Sequence, residues 1–320
     1  MRIERGMFAD LPAYLFPNDQ IEIERLDNQH EILKIVQGGR SYLAPWTRAS
    51  PPRKVLDVAT GTGRWAIEVG DEFPGTQVIG IDLSPIQPTL VPPNVTFFVD
   101  DAREGDWTGE DFDGIDYIHT RFTTGCWDSF QNDVVEKGYR ALQPGGWLEC
   151  QEMDEYWYSD DGSLAPDAPL VLWGKDLVEA GERSKRSLTA AASLRLWFEA
   201  AGFIDVREIV YKLPINGWAR DLRLKKVGDM WQLNLQSGLQ AFTYAYMHRV
   251  LGKTKEEIEV SLVNVRKDIA NPRVHAYNLC YVVCGRKPMP DEMVASSCAV
   301  SIKSTRSSTS GSTLTPTPTI

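Results

Sequence analysis

Cysteine is scarce in this sequence, and the few cysteines show no pairing pattern. Five occur in 320 residues, an odd number without a C-x-x-C spacing. A disulfide framework or a zinc motif normally requires regular spacing. Cys280 and Cys284 are four residues apart, but they lie in an apolar run that predicts a strand in which both are small buried side chains. We therefore expect a reduced compartment and no metal site.

Long apolar runs and an excess of basic residues are also missing. No run approaches the roughly 18 apolar residues of a membrane-spanning helix, and the N-terminus carries Arg and Glu where a signal peptide is apolar. The 34 Lys and Arg are outnumbered by 44 Asp and Glu, which gives a formal charge of −10. This charge has the wrong sign for general binding to nucleic acid phosphates. We expect a cytoplasmic protein, with a nuclear location as the alternative, and neither a nucleic acid nor a membrane as partner.

The rest of the composition is that of a globular chain, with 42% hydrophobic and 24% charged residues. Four regions differ in character. Residues 1–52 form a polar leader, in which the segment 19–36 is a predicted helix that serves as a lid. Residues 53–288 form the main domain, which contains a mostly helical insertion at about 214–270. Residues 289–320 are rich in Ser and Thr and are predicted to be disordered.

Short apolar runs alternate with amphipathic segments through the main domain. The runs lie at 55–58, 78–81, 95–99, 115–118 and 146–150, and further strands are predicted at 203–212 and 276–284. Helices are predicted at about 130–141 and 188–202. Such alternation predicts βαβ units and a mostly parallel sheet.

A glycine-rich turn follows the first predicted strand. Gly61 and Gly63 tolerate a positive φ and let a ligand approach the backbone just before a helix N-terminus. Two chemistries compete, because Gly61-x-Gly63-x-x-Ala66 also satisfies the dinucleotide fingerprint. The carboxylate of Asp57, at the end of the strand, opposes a pyrophosphate and favours a cationic ligand such as S-adenosylmethionine.

Acidic residues also end the next two strands. Asp82 follows the second strand, where a carboxylate can accept hydrogen bonds from ribose hydroxyls, and this feature is shared by NAD sites and S-adenosylmethionine sites. Asp101 follows the third strand, where it can accept from an adenine amino group. Because Arg64 is the only cationic residue of the turn, we favour the methyl donor over NAD.

Together with the run Leu142-Gln143-Pro144-Gly145-Gly146 before the fifth strand, these motifs resemble class I S-adenosylmethionine-dependent methyltransferases. Three longer stretches, at 17–30, 81–88 and 112–121, resemble the fungal LaeA-like group of secondary metabolism. The resemblance covers about residues 13–287. It implies a Rossmann-like α/β fold with a seven-stranded, mostly parallel sheet, an antiparallel last strand, a helical N-terminal lid and a helical insertion before the last strand.

The resemblance also implies which residues bind the cofactor, S-adenosyl-L-methionine. They are Asp57, Ala59, Gly61, Thr62, Gly63, Asp82, Leu83, Asp101, Ala102, His119 and His30. Ala59 departs from the pattern, since the class usually carries glycine there. The alanine is tolerated if its φ is negative, and many members of the class carry alanine there.

Methyl transfer is a displacement in which alignment provides most of the catalysis, and a base is needed only when the acceptor must lose a proton. Candidate bases are His119 after the fourth strand and Glu152 after the fifth. His119 can instead contact the cofactor or order its loop. Arg121 is expected to pair with an acid of the leader. His30 closes over the cofactor in one interpretation and packs a helix in the other.

Aromatic residues are concentrated outside the strands and suit either a pocket for a flat, apolar acceptor or ordinary packing of the lid. They are Trp127, Tyr156, Trp157, Tyr158, Trp218, Trp231, Phe242, Tyr244 and Tyr246.

We expect a methyltransferase that modifies oxygen or nitrogen of a small secondary metabolite. The alternative is a LaeA-like regulator of secondary-metabolite genes that acts through velvet-type partner proteins. An NAD-dependent oxidoreductase is the third possibility.

Overall fold

Seven strands form one sheet in the computed structural model, which describes residues 18–109 and 111–292. In chain order the strands are β1 Lys54–Val58, β2 Gln77–Asp82, β3 Val95–Val99, β4 Ile115–Arg121, β5 Leu142–Met153, β6 Ile204–Pro214 and β7 Tyr277–Arg286. Their spatial order is β3-β2-β1-β4-β5-β7-β6. The first five strands run parallel, whereas β7 is antiparallel to both of its neighbours. The predicted Rossmann-like fold with an antiparallel last strand is confirmed.

Helices cover both faces of the sheet and its carboxyl-terminal edge. The α-helices are α1 Gln20–Val36, α2 Arg64–Glu72, α3 Lys137–Ala141, α4 Pro169–Arg183, α5 Leu194–Ala201, α6 Leu222–Thr243 and α7 Lys255–Ala270. A π-helix, Gln131–Glu136, leads into α3, a 3₁₀ turn, Ala191–Ser193, precedes α5, and a second π-helix, Tyr244–His248, extends α6.

The central strands form because they are apolar enough to be buried on both faces. Six of the seven residues of β4 are buried, and β1 is buried from Val55 to Val58. Helix starts follow the capping side chains: the Asp19 carboxylate accepts the backbone N–H of Glu22, and Thr254 forms a capping box with Glu257. Every strand predicted from an apolar run is therefore present, and the helices of the predicted insertion are α6 and α7.

Two predicted features differ in the structure. The helix α4 was not anticipated, although its face with Trp173 and Leu177 is buried. In the predicted helix α1 the apolar side chain of Ile21 is exposed, while the charged side chains of Glu22 and Arg25 are buried. The predicted disordered tail lies mostly at 293–320, outside the described residues, as does the leader before residue 18. Within the described ranges, no helix combines the length and the apolar character needed to cross a bilayer.

Candidate functional site

The main cavity lies at the carboxyl ends of β1, β2, β4 and β5. Asp57, Asp82 and Glu152 come to it from the strand ends. Its other walls come from α1, α4, α6 and the π-helix after α6. One cavity therefore joins the glycine loop, the lid and the helices around the insertion, as expected for the ligand crevice of an open α/β sheet.

The glycine loop is shaped by three residues in the left-handed region. Gly61 and Gly63 have φ of 59° and 74°, as their sequence pattern predicts. Ala59 has φ of 55°, so the negative φ that would accommodate alanine without strain is not adopted. The tight turn from β1 into the loop places this residue in the left-handed region. A left-handed alanine costs roughly 1–2 kcal/mol.

Asp82 connects the end of β2 to this loop. Its Oδ2 accepts the backbone N–H of Gly61 at 2.8 Å, and its Oδ1 accepts that of Ser84 at 2.8 Å. Burial raises the pKa of Asp82 to about 6, against the opposing effect of these backbone donors. The ionised form of a buried carboxylate in this environment is stabilised when a ligand supplies further hydrogen-bond donors.

Asp57 and His119 are hydrogen-bonded to each other from the neighbouring strands β1 and β4. The Asp57 carboxylate accepts the Thr60 hydroxyl at 2.5 Å and lies 2.7 Å from Nδ1 of His119. The imidazole stacks on the Trp65 indole with 3.7 Å between ring centroids. The other ring nitrogen, Nε2, is buried without a hydrogen-bond partner among the described residues. Asp57 thereby fixes the orientation of the ring and leaves Nε2 available to a ligand.

These groups fit S-adenosylmethionine. The ligand is cationic at sulfur and at its amino group and presents two ribose hydroxyls, which are the partners that buried carboxylates require. Asp57 and Asp82 supply the carboxylates, and Thr62 and Gly61 supply the loop of the same cavity. The nearby Arg64 side chain is directed to the acids Glu31 and Glu68, at 3.5 and 3.7 Å, so the loop has no cation prepared for a pyrophosphate.

Other residues predicted to bind the cofactor lie outside the wall of this cavity. Asp101 is paired with Arg103, whose Nη2 donates to its Oδ2 at 2.6 Å, and this guanidinium lowers the pKa of Asp101. Leu83 and Ala102 follow β2 and β3 and do not line the cavity. Gly63 begins α2 and packs against the Phe97 ring, which a β-carbon at position 63 would approach to 2.3 Å.

His30 joins the lid to the sheet. Its Nδ1 accepts from Nη2 of Arg121 at 3.0 Å, and its Nε2 lies 3.1 Å from Oε1 of Glu68. Burial, first of all, lowers the pKa of His30. Arg121 therefore pairs with a leader residue as predicted, but that residue is a histidine and not an acid. The contact fastens α1 to β4 and α2 beside the cavity.

Glu152 organises the loop after β4. Its carboxylate accepts four hydrogen bonds at 2.7–2.9 Å, from the backbone N–H and the hydroxyl of both Thr123 and Thr124. Burial raises its pKa to about 7 even so. Both oxygens are occupied within the protein, an arrangement that holds a loop more readily than it serves a substrate.

Glu155 lines the same cavity and was missed by sequence reasoning. It has no hydrogen bond or ion pair among the described residues, and burial raises its pKa to about 7. The strand β5 ends at Met153, so the two-residue periodicity of a strand does not extend to Glu155. The acidic run from Glu152 to Glu155 was the available signal.

The aromatic residues divide into two groups. Four of the nine predicted ones, together with Phe122 and Trp173, line the cavity: Trp157, Trp231, Phe242 and Tyr246. The other five are absent from its wall, and two of them are packed elsewhere: Tyr158 is stacked on Tyr277 and Trp218 lies against His275. The first group forms an aromatic wall in the same cavity as the glycine loop.

Comparison with known proteins agrees with this geometry. A methyltransferase domain model matches residues 28–208. Methyltransferase pytC of Aspergillus terreus is 38% identical over 277 residues, covering 86% of this chain and 84% of that protein. The secondary metabolism regulator LAE1 of Cochliobolus heterostrophus is 36% identical, covering 86% and 90% of the two chains. The probable methyltransferase tdiE of Emericella nidulans is 33% identical, covering 84% and 82%.

The matched domain contains β1 to β5, and the matched relatives extend across the helices that close the cavity. The chain thus belongs to the methyltransferase domain family, within its fungal LaeA-like group, and is an S-adenosylmethionine-dependent methyltransferase.

Proposed function

We propose that this methyltransferase modifies an oxygen or nitrogen atom of a small secondary metabolite. The observation that carries the proposal is the single cavity, which has the carboxylates Asp57 and Asp82 at one side and an aromatic wall at the other. The first side suits the methyl donor. The second suits a flat, apolar acceptor, because aromatic side chains provide a large apolar surface and attract a sulfonium.

The cofactor supplies an electrophilic methyl group when it is bound. Asp82 would accept from its ribose hydroxyls, and Asp57, His119 and the loop through Ala59, Gly61, Thr62 and Gly63 would hold its amino-acid end. Leu83, Asp101 and Ala102 follow β2 and β3 outside the cavity wall and would border the adenine at that edge, and His30, through its contact with Arg121, would hold the lid over the site. These assignments keep the residues predicted from the sequence.

His119 and Glu152 have different proposed roles in catalysis. His119 contacts the reacting groups through Nε2 in the orientation that Asp57 sets. Glu152 positions the Thr123–Thr124 loop, since its four hydrogen bonds occupy both oxygens. Water is excluded by α1 and by the aromatic wall, which strengthens the electrostatic interactions inside.

The organisation supports one catalytic unit at 53–288 with additions. The leader contributes α1 as a lid, and the insertion at about 214–270 contributes α6 as the opposite wall. We place the protein in the cytoplasm, where small metabolites and S-adenosylmethionine are accessible.

The test is calorimetric titration with S-adenosylhomocysteine. Asp82→Asn removes the charge that strengthens two hydroxyl hydrogen bonds, so binding weakens at least about tenfold. Asp106→Asn is the matched control, because the Asp106 side chain has only an exposed pair with Arg140 among the described residues. Wild-type affinity in the Asp82→Asn variant, or no binding by the wild-type chain, contradicts the proposal.

The similarity to LAE1 supports a second candidate, a regulator that acts through velvet-type proteins in the nucleus. A tagged chain expressed in its fungal host distinguishes the two. Nuclear localisation with recovery of a velvet-type protein supports the regulator. A cytoplasmic chain that recovers no such partner supports the tailoring enzyme.

A further inference from the structure

Glu155 differs from the other acids of the cavity because the protein does not satisfy it. Asp57 is held by His119 and Thr60, and Asp82 by two backbone N–H groups. Glu152 accepts four hydrogen bonds. Glu155 has no hydrogen bond or ion pair with any described residue, and it is half-buried in the wall. A half-buried carboxylate without a protein partner has lost part of its hydration, so its position at a ligand cavity points to a partner on the ligand.

The surroundings of Glu155 define the chemistry of that partner. Trp157, Trp173 and Trp231 line the cavity with it, and Leu177 and Leu188 add aliphatic surface. The cationic side chains of this wall are already engaged: Arg25 with Glu22, and Arg121 with His30. The site therefore offers apolar ring surfaces and one free acidic oxygen pair, which suits a ring compound that carries a hydroxyl group.

We propose that Glu155 is the general base of the reaction and that the acceptor is a flat, apolar ring compound methylated at a hydroxyl group. This inference rests on the proposed function. The acceptor oxygen forms its bond to the methyl carbon while the carbon–sulfur bond breaks, and the electron pair of that bond stays on sulfur. The hydroxyl proton passes to the Glu155 carboxylate, which then releases it to water, so charge and protons balance.

The protonation behaviour of Glu155 agrees with this role. Burial raises its pKa to about 7, and the neighbouring carboxyls of Asp154 and Glu152 act in the same direction. A base works best when its pKa lies near the working pH. Burial, first of all, raises the pKa of Tyr246, and Cys126 and Glu155 act in the same direction while Arg186 opposes them.

The binding experiment uses 2-naphthol, with 2-methoxynaphthalene as the matched probe that has no hydroxyl proton. Both are titrated by calorimetry at pH 6 and pH 8.5 into the chain saturated with S-adenosylhomocysteine. The wild-type chain binds 2-naphthol about tenfold more tightly at pH 8.5, because the ionised carboxylate is the stronger acceptor. The Glu155→Gln variant binds 2-naphthol equally tightly at the two pH values. The affinity for 2-methoxynaphthalene changes neither with pH nor with the substitution.

The transfer experiment follows a tritiated methyl group from S-adenosylmethionine to 2-naphthol. Glu155→Gln lowers the rate of methyl transfer at pH 8 by about a hundredfold or more, because glutamine has nearly the shape of glutamate but cannot accept the hydroxyl proton. Equal rates or equal pH profiles for the two chains overturn the role of Glu155, and a wild-type chain that neither binds nor methylates 2-naphthol overturns the acceptor class. Binding of S-adenosylhomocysteine, measured separately on both chains, is unchanged; its absence would instead contradict the proposed function.

Discussion

Ala59 occupies a backbone conformation that alanine rarely adopts. Its φ of 55° lies in the left-handed region, and Phe122, another residue of the cavity wall, has φ of 54°. Both residues follow strands whose carboxyl ends form the cavity. Strain of this kind is maintained by the surrounding structure and is frequent at functional sites.

Replacing Ala59 by glycine tests this strain. Ala59→Gly increases the free energy of unfolding by about 1 kcal/mol, because glycine adopts a positive φ without a steric penalty. Urea unfolding measures the change. Ala190→Gly is the control, since Ala190 has φ of −63° and glycine there lowers the stability. A loss of stability in Ala59→Gly contradicts a strained alanine.

Asp82 makes cofactor binding depend on pH. Burial raises its pKa to about 6, and only the ionised carboxylate accepts from both ribose hydroxyls. Lowering the pH from 7.5 to 5 therefore weakens S-adenosylhomocysteine binding by about tenfold. In Asp82→Asn, calorimetry gives a weaker affinity that stays nearly constant over this range. An unchanged affinity in the wild-type chain at pH 5 excludes Asp82 as the titrating group.

Protonation of Asp82 weakens cofactor binding, but it stabilises the folded chain when no ligand is bound. The folded pKa of Asp82 exceeds the ordinary value of 3.8, so the folded chain binds more protons between about pH 4 and pH 6. Its contribution to stability is complete below that window and is lost as the pH rises through 6. The ionised Asp82 thus lowers the stability of the ligand-free folded chain at neutral pH. A ligand that donates hydrogen bonds to this carboxylate offsets the loss.

At the scale of elements, α1 is attached to α6 by buried polar contacts. Asn234 Oδ1 accepts from Nη1 of Arg25 at 3.2 Å, and Nδ2 of Asn234 donates to the carbonyl oxygen of Arg25 at 2.7 Å. Asn28 adds a bond to the carbonyl of Met230 at 3.3 Å. On its other side, α1 reaches the glycine loop, where Asp27 accepts the Thr62 hydroxyl at 2.7 Å. The lid is therefore connected to both the insertion and the cofactor loop.

Asn234→Ala loosens this lid. The substitution removes the partner of the buried Arg25 Nη1 and the side-chain hydrogen bond to the Arg25 carbonyl oxygen, at a cost of about 1–3 kcal/mol. Hydrogen exchange of residues 20–36 accelerates while β1 and β4 remain protected, and S-adenosylhomocysteine dissociates faster. Asn264→Ala, on the exposed face of α7, changes neither quantity. Unaltered exchange in α1 of Asn234→Ala shows that this contact does not hold the lid.

Elements differ in how far the sequence predicts them. Strands β1 and β2 were predictable because each is a short, mostly apolar run that becomes buried, whereas β3 and β6 are predictable from their apolar residues although they stay largely exposed. The orientation of α1 was not, since its buried face includes Glu22, Arg25 and His30, and hydrophobic periodicity detects only apolar residues. Such polar faces are buried only because partners from α6 and β4, distant in sequence, satisfy them.

At the scale of the whole molecule, one part of the site follows from a local sequence motif and the other depends on contacts between distant segments. The half that contains Asp57, Gly61 and Asp82 was predictable, because one local motif sets it between β1 and β2. The aromatic half, with Trp173 and Trp231, comes from α4 and α6, and no local pattern brings these helices together over the sheet. Only the assembled fold shows that the two halves share one cavity.

The combined cavity predicts how the whole chain responds to ligands. At about 100 times its dissociation constant, S-adenosylhomocysteine stabilises the folded chain by about 2.7 kcal/mol. For a chain of this size the Tm rises by roughly 4–5 °C, measured by differential scanning fluorimetry. NADH at the same concentration has no such effect, because its pyrophosphate would lie against Asp57 and Asp82 while Arg64 is paired with Glu31. A larger shift with NADH than with S-adenosylhomocysteine would mean that the carboxylates do not select the ligand, since they repel one and attract the other.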